Sequence, residues 1–348
     1  MNPALALAFE QQALACDGLG SPFTARLMRC IPQVWPLAGA LPDRVAKIAG
    51  DLGPRGASVP LRVAGGLHAL VQTDRAPDLS AAFPPNAVTD TELASAVGQA
   101  LIEQDSFLSD WIKTPPQTNE TGRSAVLMAA ASDLSARFAL PLVLSELGAS
   151  AGLNLWFDRY ALSVPGGSIG AADSPLLLCP DWSGPSPAVA PIRIAARRGV
   201  DLHPLDPRSD GARLLAYIWA DQPERLSRLR AALSVARGGV VDAADAADWL
   251  DARVALPVQE RLHVVFHTIA FQYFPSQTQA RIQTAMEAAG ARARADAPLA
   301  WLGMEADGAG EGAAVTLRLW PGDLRLSLGR AGFHGQWVRW SGALGAGG

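Results

Sequence analysis

Residues 140–160 concentrate the side chains whose types and spacing are best suited to binding a ligand. Leu142–Leu144 are typical of the end of a buried strand, and the acid Glu146 follows them directly. A run of small residues comes next: Gly148, Ala149, Ser150, Ala151 and Gly152. Helical spacing from Leu153 onward then predicts a strand, a tight turn and a helix. Such a corner is where open α/β sheets bind ligands, because small residues let a ligand approach the backbone.

Three kinds of site compete for this corner. The spacing Glu146-x-Gly148-x-Ser150-x-Gly152 resembles the first motif of Rossmann-like S-adenosylmethionine methyltransferases, an acid followed by glycines at alternate positions. The same residues spell G-x-S-x-G, the nucleophile elbow of serine hydrolases. A dinucleotide fingerprint fits worst, because Ser150 and Leu153 replace two of its glycines. We expect the corner to bind S-adenosylmethionine through Glu146, Gly148, Ser150, Gly152 and Asn154. The alternative is a plain turn that binds no ligand.

Two aspartates that follow later strands are candidates for holding the rest of such a cofactor. Asp201 ends the strand predicted over 192–201, where Rossmann-like sites place an acid on the ribose hydroxyls. It lies much further from the corner than the roughly 20 residues usual for these folds. Resemblance to methyltransferases implies that Asp245, or failing that Asp242, faces the adenine amino group. As an alternative, the aspartates cap helices.

A fourth strand is predicted over Leu262–Ala270 and ends near a histidine, and a fifth strand is predicted over Leu299–Glu305. His267 is a candidate general base, and Tyr273 a candidate for orienting the substrate, because ligands bind at the carboxyl ends of such strands. The competing hypothesis is a buried histidine bonded to the backbone. No spaced cluster of histidine and cysteine predicts a metal site.

The segment 115–124 combines two prolines with uncharged and charged polar residues. One interpretation is a capped helix start. The other is a lead-in segment that faces the cofactor, in which Gln117 and Asn119 bind amino or carboxylate groups and Arg123 clamps a carboxylate. Glu120 and the later His334 belong to the same predicted lead-in set.

Composition excludes several classes of protein. The 348 residues are 49% hydrophobic and 18% charged, which favours a large core over disorder. A net charge of -4 without a basic run argues against nucleic-acid binding. The three cysteines form no C-x-x-C, which fits a reducing compartment. No apolar run approaches the roughly 20 residues that span a bilayer, and no signal peptide is predicted.

We expect a cytoplasmic protein with a small-molecule substrate and with no nucleic-acid or membrane partner. The sequence does not determine the oligomeric state.

The predicted fold class is α/β. Residues 1–135 are predicted to form an all-helical N-terminal domain, in which the pair Gly65-Gly66 favours close helix packing. Residues 136–348 are predicted to form a Rossmann-like, methyltransferase-type mixed sheet, with an inserted hairpin or loop over 164–191. Clean alternation around the turn at 321–323 predicts an antiparallel C-terminal end.

Taken together, residues 136–348 resemble a class I methyltransferase domain. The whole chain also resembles a bacterial family known as domain of unknown function 2332, through residues 116–120, 146–155, 199–206 and 334–335. The resemblance implies an S-adenosylmethionine-binding protein and, one step further, a methyltransferase acting on a small molecule. The alternatives are a serine hydrolase, with Ser150 as nucleophile and Asp245 with His267 or His334 as partners, and a non-catalytic methyltransferase-like binding protein.

Overall fold

The computed structural model describes residues 2–342. Its α-helices, in chain order, are α1 Pro3–Gly18, α2 Pro22–Cys30, α3 Ala40–Ala46, α4 Val59–Gln72, α5 Pro77–Ala81, α6 Asp90–Glu103, α7 Asp105–Trp111, α8 Ser124–Phe138, α9 Gly211–Ala216, α10 Pro223–Val235, α11 Ala246–Arg253 and α12 Ser276–Gly290. Short 3₁₀ helices cover Ile31–Val34, Thr121–Arg123, Leu153–Arg159 and Phe271–Tyr273.

The strands, also in chain order, are β1 Leu142–Leu147, β2 Ala161–Val164, β3 Gly167–Gly170, β4 Leu177–Leu178, β5 Asp181–Ser183, β6 Ile194–Asp201, β7 Val241–Ala243, β8 Leu262–Thr268, β9 Leu299–Glu305, β10 Ala313–Trp320, β11 Leu324–Ala331 and β12 Trp337–Trp340. In the part of the chain that the structure describes, no helix is long and apolar enough to cross a membrane. Within the same residues, no group of three or more His, Cys, Asp or Glu side chains is placed to hold a metal ion.

One compact unit contains residues up to 118 together with 210–227, and its regular elements are helical. Its core is built around α4, whose residues from Val63 to Leu70 are all buried. A Cβ atom on Gly65 would lie 2.5 Å from the ring of Tyr217, and one on Gly66 would lie 2.8 Å from Leu108. The predicted close packing at Gly65-Gly66 is therefore confirmed.

The second compact unit contains residues 119–209 and those from 228 onward, so the division falls at 118/119 and not at 135/136. Helix α8, predicted as part of the N-terminal domain, belongs to this second unit, and residues 210–227 belong to the first. An all-helical domain of residues 1–135 is not established by this division.

Nine of the strands described in residues 2–342 form one mostly parallel sheet, in the order β5-β12-β11-β10-β9-β8-β1-β6-β7. From β7 through β6, β1 and β8 to β9 the neighbours are parallel; β10, β11 and β12 then pair antiparallel. The mixed α/β sheet with an antiparallel C-terminal end is thus confirmed. All residues of β1 and β8 are buried, as expected for strands covered on both faces.

The connection from β1 to β6 differs from the predicted one. The helix predicted after the corner is a short 3₁₀ helix, interrupted at Trp156, whose backbone is not helical. The predicted insertion over 164–191 begins earlier, because β2 and β3 form a hairpin from Ala161 and β4 pairs with β2 in a separate three-stranded sheet. Strand β5 lies outside this small sheet and pairs with β12 at the edge of the main sheet. Propensity alone could not predict this, since tertiary pairing decides it.

A half-buried ion pair fixes the 3₁₀ segment to β6. Arg197 donates from Nη1 to Asp158 Oδ1 at 2.7 Å and to the carbonyl of Leu155 at 2.7 Å, and from Nη2 to Asp158 Oδ2 at 3.1 Å. Its guanidinium lies 4.2 Å from the centre of the Trp156 ring. Both charged side chains are mostly shielded from water, at 14% and 13% exposure.

We expect Asp158→Ala to lower the free energy of unfolding by about 3 kcal/mol, because it leaves the Arg197 charge shielded and unpaired. Urea unfolding followed by circular dichroism measures the change. The exposed Asp173 is the matched control, and Asp173→Ala should stay within about 0.5 kcal/mol of the parent. Equal stabilities for the two variants would contradict a structural role for the pair.

Candidate functional site at the carboxyl ends of the central strands

The turn after β1 has an alternating left-handed backbone. The φ angles are +70° at Gly148, +52° at Ser150 and +71° at Gly152. The backbone N–H groups of Gly148 and Ala149 both donate to the carbonyl of Val200, at 2.9 and 3.0 Å, which folds the turn onto the end of β6. Glycine adopts this backbone without strain at positions 148 and 152. Ser150 has a side chain, so the same backbone is strained at position 150.

The chain itself fills the space beside these glycines. A Cβ atom on Gly148 would lie 2.6 Å from the Cβ of Ala270, and one on Gly152 would lie 2.8 Å from Val241 Cγ2. Backbone angle and packing therefore already require glycine at both positions, without a ligand. A bulky substitution at Gly148 would disturb the fold and cannot test ligand binding.

The structure brings Asp201 to the corner. Its Oδ2 accepts the Ser150 N–H at 2.9 Å, and its Oδ1 accepts the His203 N–H at 2.9 Å. The small sheet of β2, β3 and β4 occupies much of the intervening chain and accounts for the unusual separation from the turn. Asp201 thus holds the strained serine in place, and the ribose contact stays a prediction.

Glu146 is a carboxyl group enclosed beneath the corner. It is 2% exposed, and Asn154 hydrogen-bonds to it, but Oε2 has no hydrogen-bond partner among the described residues. Burial raises the pKa of Glu146 well above its ordinary value and the nearby Asp201 raises it further, while Asn154 and the more distant charge of Arg123 lower it only in part. The carboxyl group therefore stays protonated unless a cation or a donor reaches it.

The predicted lead-in segment is tied to the corner by its side chains. Asn119 Oδ1 accepts the Leu153 N–H at 2.8 Å, at the start of the 3₁₀ helix. Glu120 Oε1 accepts the Gly122 N–H at 3.1 Å and lies 3.8 Å from Arg228. The structure therefore uses Asn119 to satisfy a backbone donor of the turn itself. Gln117 belongs to the other compact unit.

Arg123 joins the lead-in segment to the end of β8 and to the loop before β12. Its Nε donates to the carbonyl of Phe333 at 2.9 Å, and its Nη1 donates to the carbonyl of Thr268 at 3.0 Å. The backbones also meet closely, since a Cβ atom on Gly335 would lie 2.2 Å from the carbonyl oxygen of Gly122. The segment His334-Gly335 therefore lies against the lead-in segment, with which His334 was grouped in the sequence analysis.

The aspartates after β7 have structural partners. Asp245 Oδ1 accepts the N–H groups of Ala247 at 2.9 Å and Asp248 at 3.2 Å, so it caps α11. Asp242 pairs with Arg198 and accepts the Trp249 Nε1–H at 2.8 Å. The bond with Arg198 lowers the pKa of Asp242 below its ordinary value. The geometry shows the helix-cap alternative for Asp245, and its adenine contact stays a prediction.

His267 lies on the opposite face of the sheet from Glu146. Glu146 pairs in register with Phe266, and side chains alternate along a strand, so the next residue of β8 points the other way. His267 Nδ1 lies 2.7 Å from Glu305 Oε1, a partner at the end of β9 that the sequence analysis missed. A signal for it existed, because Glu305 ends a predicted strand beside the strand of His267. Tyr273 is exposed.

The partners of Glu305 determine the state of this pair. Burial raises the pKa of Glu305, but hydrogen bonds from His267 and from the N–H groups of Ala270 and Phe271 outweigh it and leave the pKa lowered. Glu305 is therefore ionised, and His267 Nδ1 donates its proton to it. The other ring nitrogen, Nε2, takes no part in this bond.

We expect Glu146 to make stability fall as pH rises. Its folded pKa is raised, so between the ordinary glutamate value of about 4.5 and the folded value the folded protein binds more protons than the unfolded chain. Glu146→Gln removes this term and should unfold at a higher urea concentration than the parent at neutral pH. Urea midpoints of both proteins from pH 4 upward measure the difference, which should widen as pH rises. A difference independent of pH would contradict a protonated Glu146.

Comparison with known proteins identifies the family to which the chain belongs. Searches of curated proteins and of solved structures found no significant match. The model of one bacterial family matches residues 6–340, nearly the whole chain and both compact units. The chain therefore belongs to the family described as an uncharacterized protein conserved in bacteria, domain of unknown function 2332.

Proposed function

We propose that the protein binds S-adenosylmethionine at the corner after β1 and is a methyltransferase acting on a small molecule. The observation that carries this proposal is Glu146, whose enclosed carboxyl group has an oxygen without a partner among the described residues. A buried polar group without a partner costs free energy unless a ligand satisfies it. S-adenosylmethionine offers a suitable cation, since it carries an ammonium and a sulfonium group.

The surrounding sheet supports the same function by analogy of fold. The central strands run parallel in the order β7-β6-β1-β8-β9, and β1 and β6 end side by side at the corner. Open sheets of this kind bind ligands outside the carboxyl ends of their strands. Glu146 and Asp201 are the residues that would hold the cofactor, rather than the glycines, whose Cβ directions are filled by Ala270 and Val241.

The net charge of the chain favours a small molecule, rather than a nucleic acid, as the methyl acceptor. A net charge of -4 without a basic run provides no phosphate-binding surface for a nucleic acid. The bound cofactor would supply an activated methyl group, so the protein has to bind, orient and exclude water. Arg123 and Asn119 contribute to orientation indirectly, by fixing the lead-in segment through backbone bonds.

We expect saturable binding of S-adenosylmethionine in isothermal titration calorimetry. Glu146→Gln should weaken it by roughly ten- to a hundredfold, because a charge-assisted hydrogen bond contributes roughly 1.5–3 kcal/mol. Binding to the parent should also release a proton as Glu146 ionises, so the measured heat should depend on the ionisation enthalpy of the buffer. This dependence should disappear in Glu146→Gln.

A matched control is Asp133, another buried carboxyl group of the same compact unit whose pKa is raised by burial. It accepts the Ala188 N–H, away from the corner, so Asp133→Asn should leave the affinity of the folded protein unchanged. Absence of binding at millimolar S-adenosylmethionine, or equal affinities of Glu146→Gln and the parent, would refute the proposal.

A second candidate function is hydrolysis by Ser150, favoured by one observation. Its φ of +52° is the strained backbone of a nucleophile elbow, and its buried Oγ has no hydrogen-bond partner among the described residues. Of the predicted partners, Asp245 caps α11 and His267 bonds to Glu305, which leaves His334 as the remaining candidate base. Within residues 2–342, no base lies at hydrogen-bond distance from Ser150 Oγ.

A fluorophosphonate probe distinguishes the two functions. If the cofactor proposal holds, the probe leaves Ser150 unlabelled in intact-mass spectrometry, and Ser150→Ala binds S-adenosylmethionine within a few-fold of the parent, since alanine is also small. Stoichiometric labelling that is lost in Ser150→Ala would identify a hydrolase nucleophile instead.

A further inference from the structure

A pocket of about 570 Å³ lies beside β8, β9, β10 and β11, on the face that carries His267. This volume is in the range of small-molecule sites, roughly 300–1,000 Å³. Its lining combines the imidazole of His267 with two aromatic rings and several polar side chains, among them Phe271, Trp301, Thr316, Arg325 and Ser327. The pocket is independent of the corner, because Glu146 points to the other face.

Strand register places the polar residues of the pocket in a row. His267 pairs with Gly303, Gly303 with Thr316, and Thr316 with Ser327. Three strand spacings separate the ends of this row, about 14 Å. Gly303 leaves room for the imidazole, because a Cβ atom there would lie 3.0 Å from His267 Cε1 and 3.2 Å from Thr316 Oγ1.

His267 lines the pocket and is 5% exposed. Its Nδ1–H donates to the ionised Glu305, so Nε2 is the ring nitrogen left for a ligand. A hydroxyl group suits this position, because a hydroxyl both donates and accepts hydrogen bonds.

The walls favour a planar aromatic body. The Phe271 ring stacks on His267 with centroids 4.8 Å apart, and Trp301 stands edge-on to His267 at 6.0 Å. Aromatic rings favour stacked and edge-to-face contacts with a further ring.

The opposite end of the pocket offers positive charge. Arg318 is already paired with Glu287 and Asp323. The side chain of Arg325 is 65% exposed, and among the described residues it forms one long hydrogen bond, 3.4 Å from Nη2 to Asp323 Oδ2. A guanidinium has five N–H donors, so Arg325 retains the capacity to bind a carboxylate.

We infer that this pocket is a second binding site, which takes a planar aromatic molecule with a hydroxyl group at one end and a carboxylate at the other. The hydroxyl group hydrogen-bonds with His267 Nε2, the rings lie against Phe271 and Trp301, and the carboxylate binds Arg325. Arg325 lies on β11, two residues from Ser327, so the two side chains and a body of two fused rings together span the roughly 14 Å between β8 and β11.

The test uses 6-hydroxy-2-naphthoate, with 2-naphthoate and 2-naphthol as ligands that each lack one group. By titration calorimetry, the protein should bind 6-hydroxy-2-naphthoate at least tenfold more tightly than 2-naphthoate. His267→Ala should abolish this preference by weakening only the hydroxylated ligand. Absence of saturable binding at millimolar concentration, or an unchanged preference in His267→Ala, would overturn the inference.

A surface variant keeps the test decisive if His267→Ala does not fold. Arg325→Ala should weaken 6-hydroxy-2-naphthoate about tenfold and leave 2-naphthol unchanged. The matched control is Arg339→Ala on β12, an arginine of similar exposure that pairs with Glu311 and does not line the pocket. Equal effects of the two arginine variants, or equal weakening of both ligands by Arg325→Ala, would exclude the assigned orientation.

Discussion

The candidate site depends on the bond between the Asp201 carboxylate and the N–H of Ser150. Ser150 has a left-handed backbone that its side chain disfavours, so an interaction outside the turn has to stabilise it. Asp201 provides that interaction from the end of the neighbouring parallel strand, and the Val200 carbonyl accepts two further N–H groups of the same turn. The turn, the end of β1 and the end of β6 therefore form one unit, and Glu146 is enclosed beneath it.

The alternation of side chains along the strands then separates two polar centres. Glu146 and His267 lie on neighbouring parallel strands, one residue apart in register, and point to opposite faces. On one face, Glu146 has a buried carboxyl oxygen without a hydrogen-bond partner among the described residues. On the other face, His267 bonds to Glu305 through Nδ1 and lines a pocket. Their electrostatics differ, because burial raises the pKa of Glu146, whereas hydrogen bonds from His267 and from backbone N–H groups outweigh burial and lower the pKa of Glu305.

Several predictions made from sequence agree closely with the structure, and they share a physical basis. The predicted fifth strand, 299–305, coincides with β9, and the alternating pattern around 321–323 is the β10–β11 hairpin. Local side-chain periodicity reports burial, so strands with clear patterns are predictable. Asp201 was identified because carboxyl ends of parallel strands meet, a rule that holds whatever lies between them. Glu305 was missed because its role depends on a histidine in another strand.

Sequence by itself determined the α/β class, the mixed sheet and the family, and it pointed to Glu146, Ser150 and Asp201, which the structure brings together at the corner. Tertiary structure alone decided what those residues do. The 3₁₀ helix after the corner follows from the bonds of Arg197 to Asp158 and Leu155, and the glycines are required by the proximity of Ala270 and Val241. Glu146 is enclosed with an oxygen that has no hydrogen-bond partner among the described residues. The physical reason is that hydrogen-bond partners and burial are set by distant contacts, which a residue's own sequence neighbours do not encode.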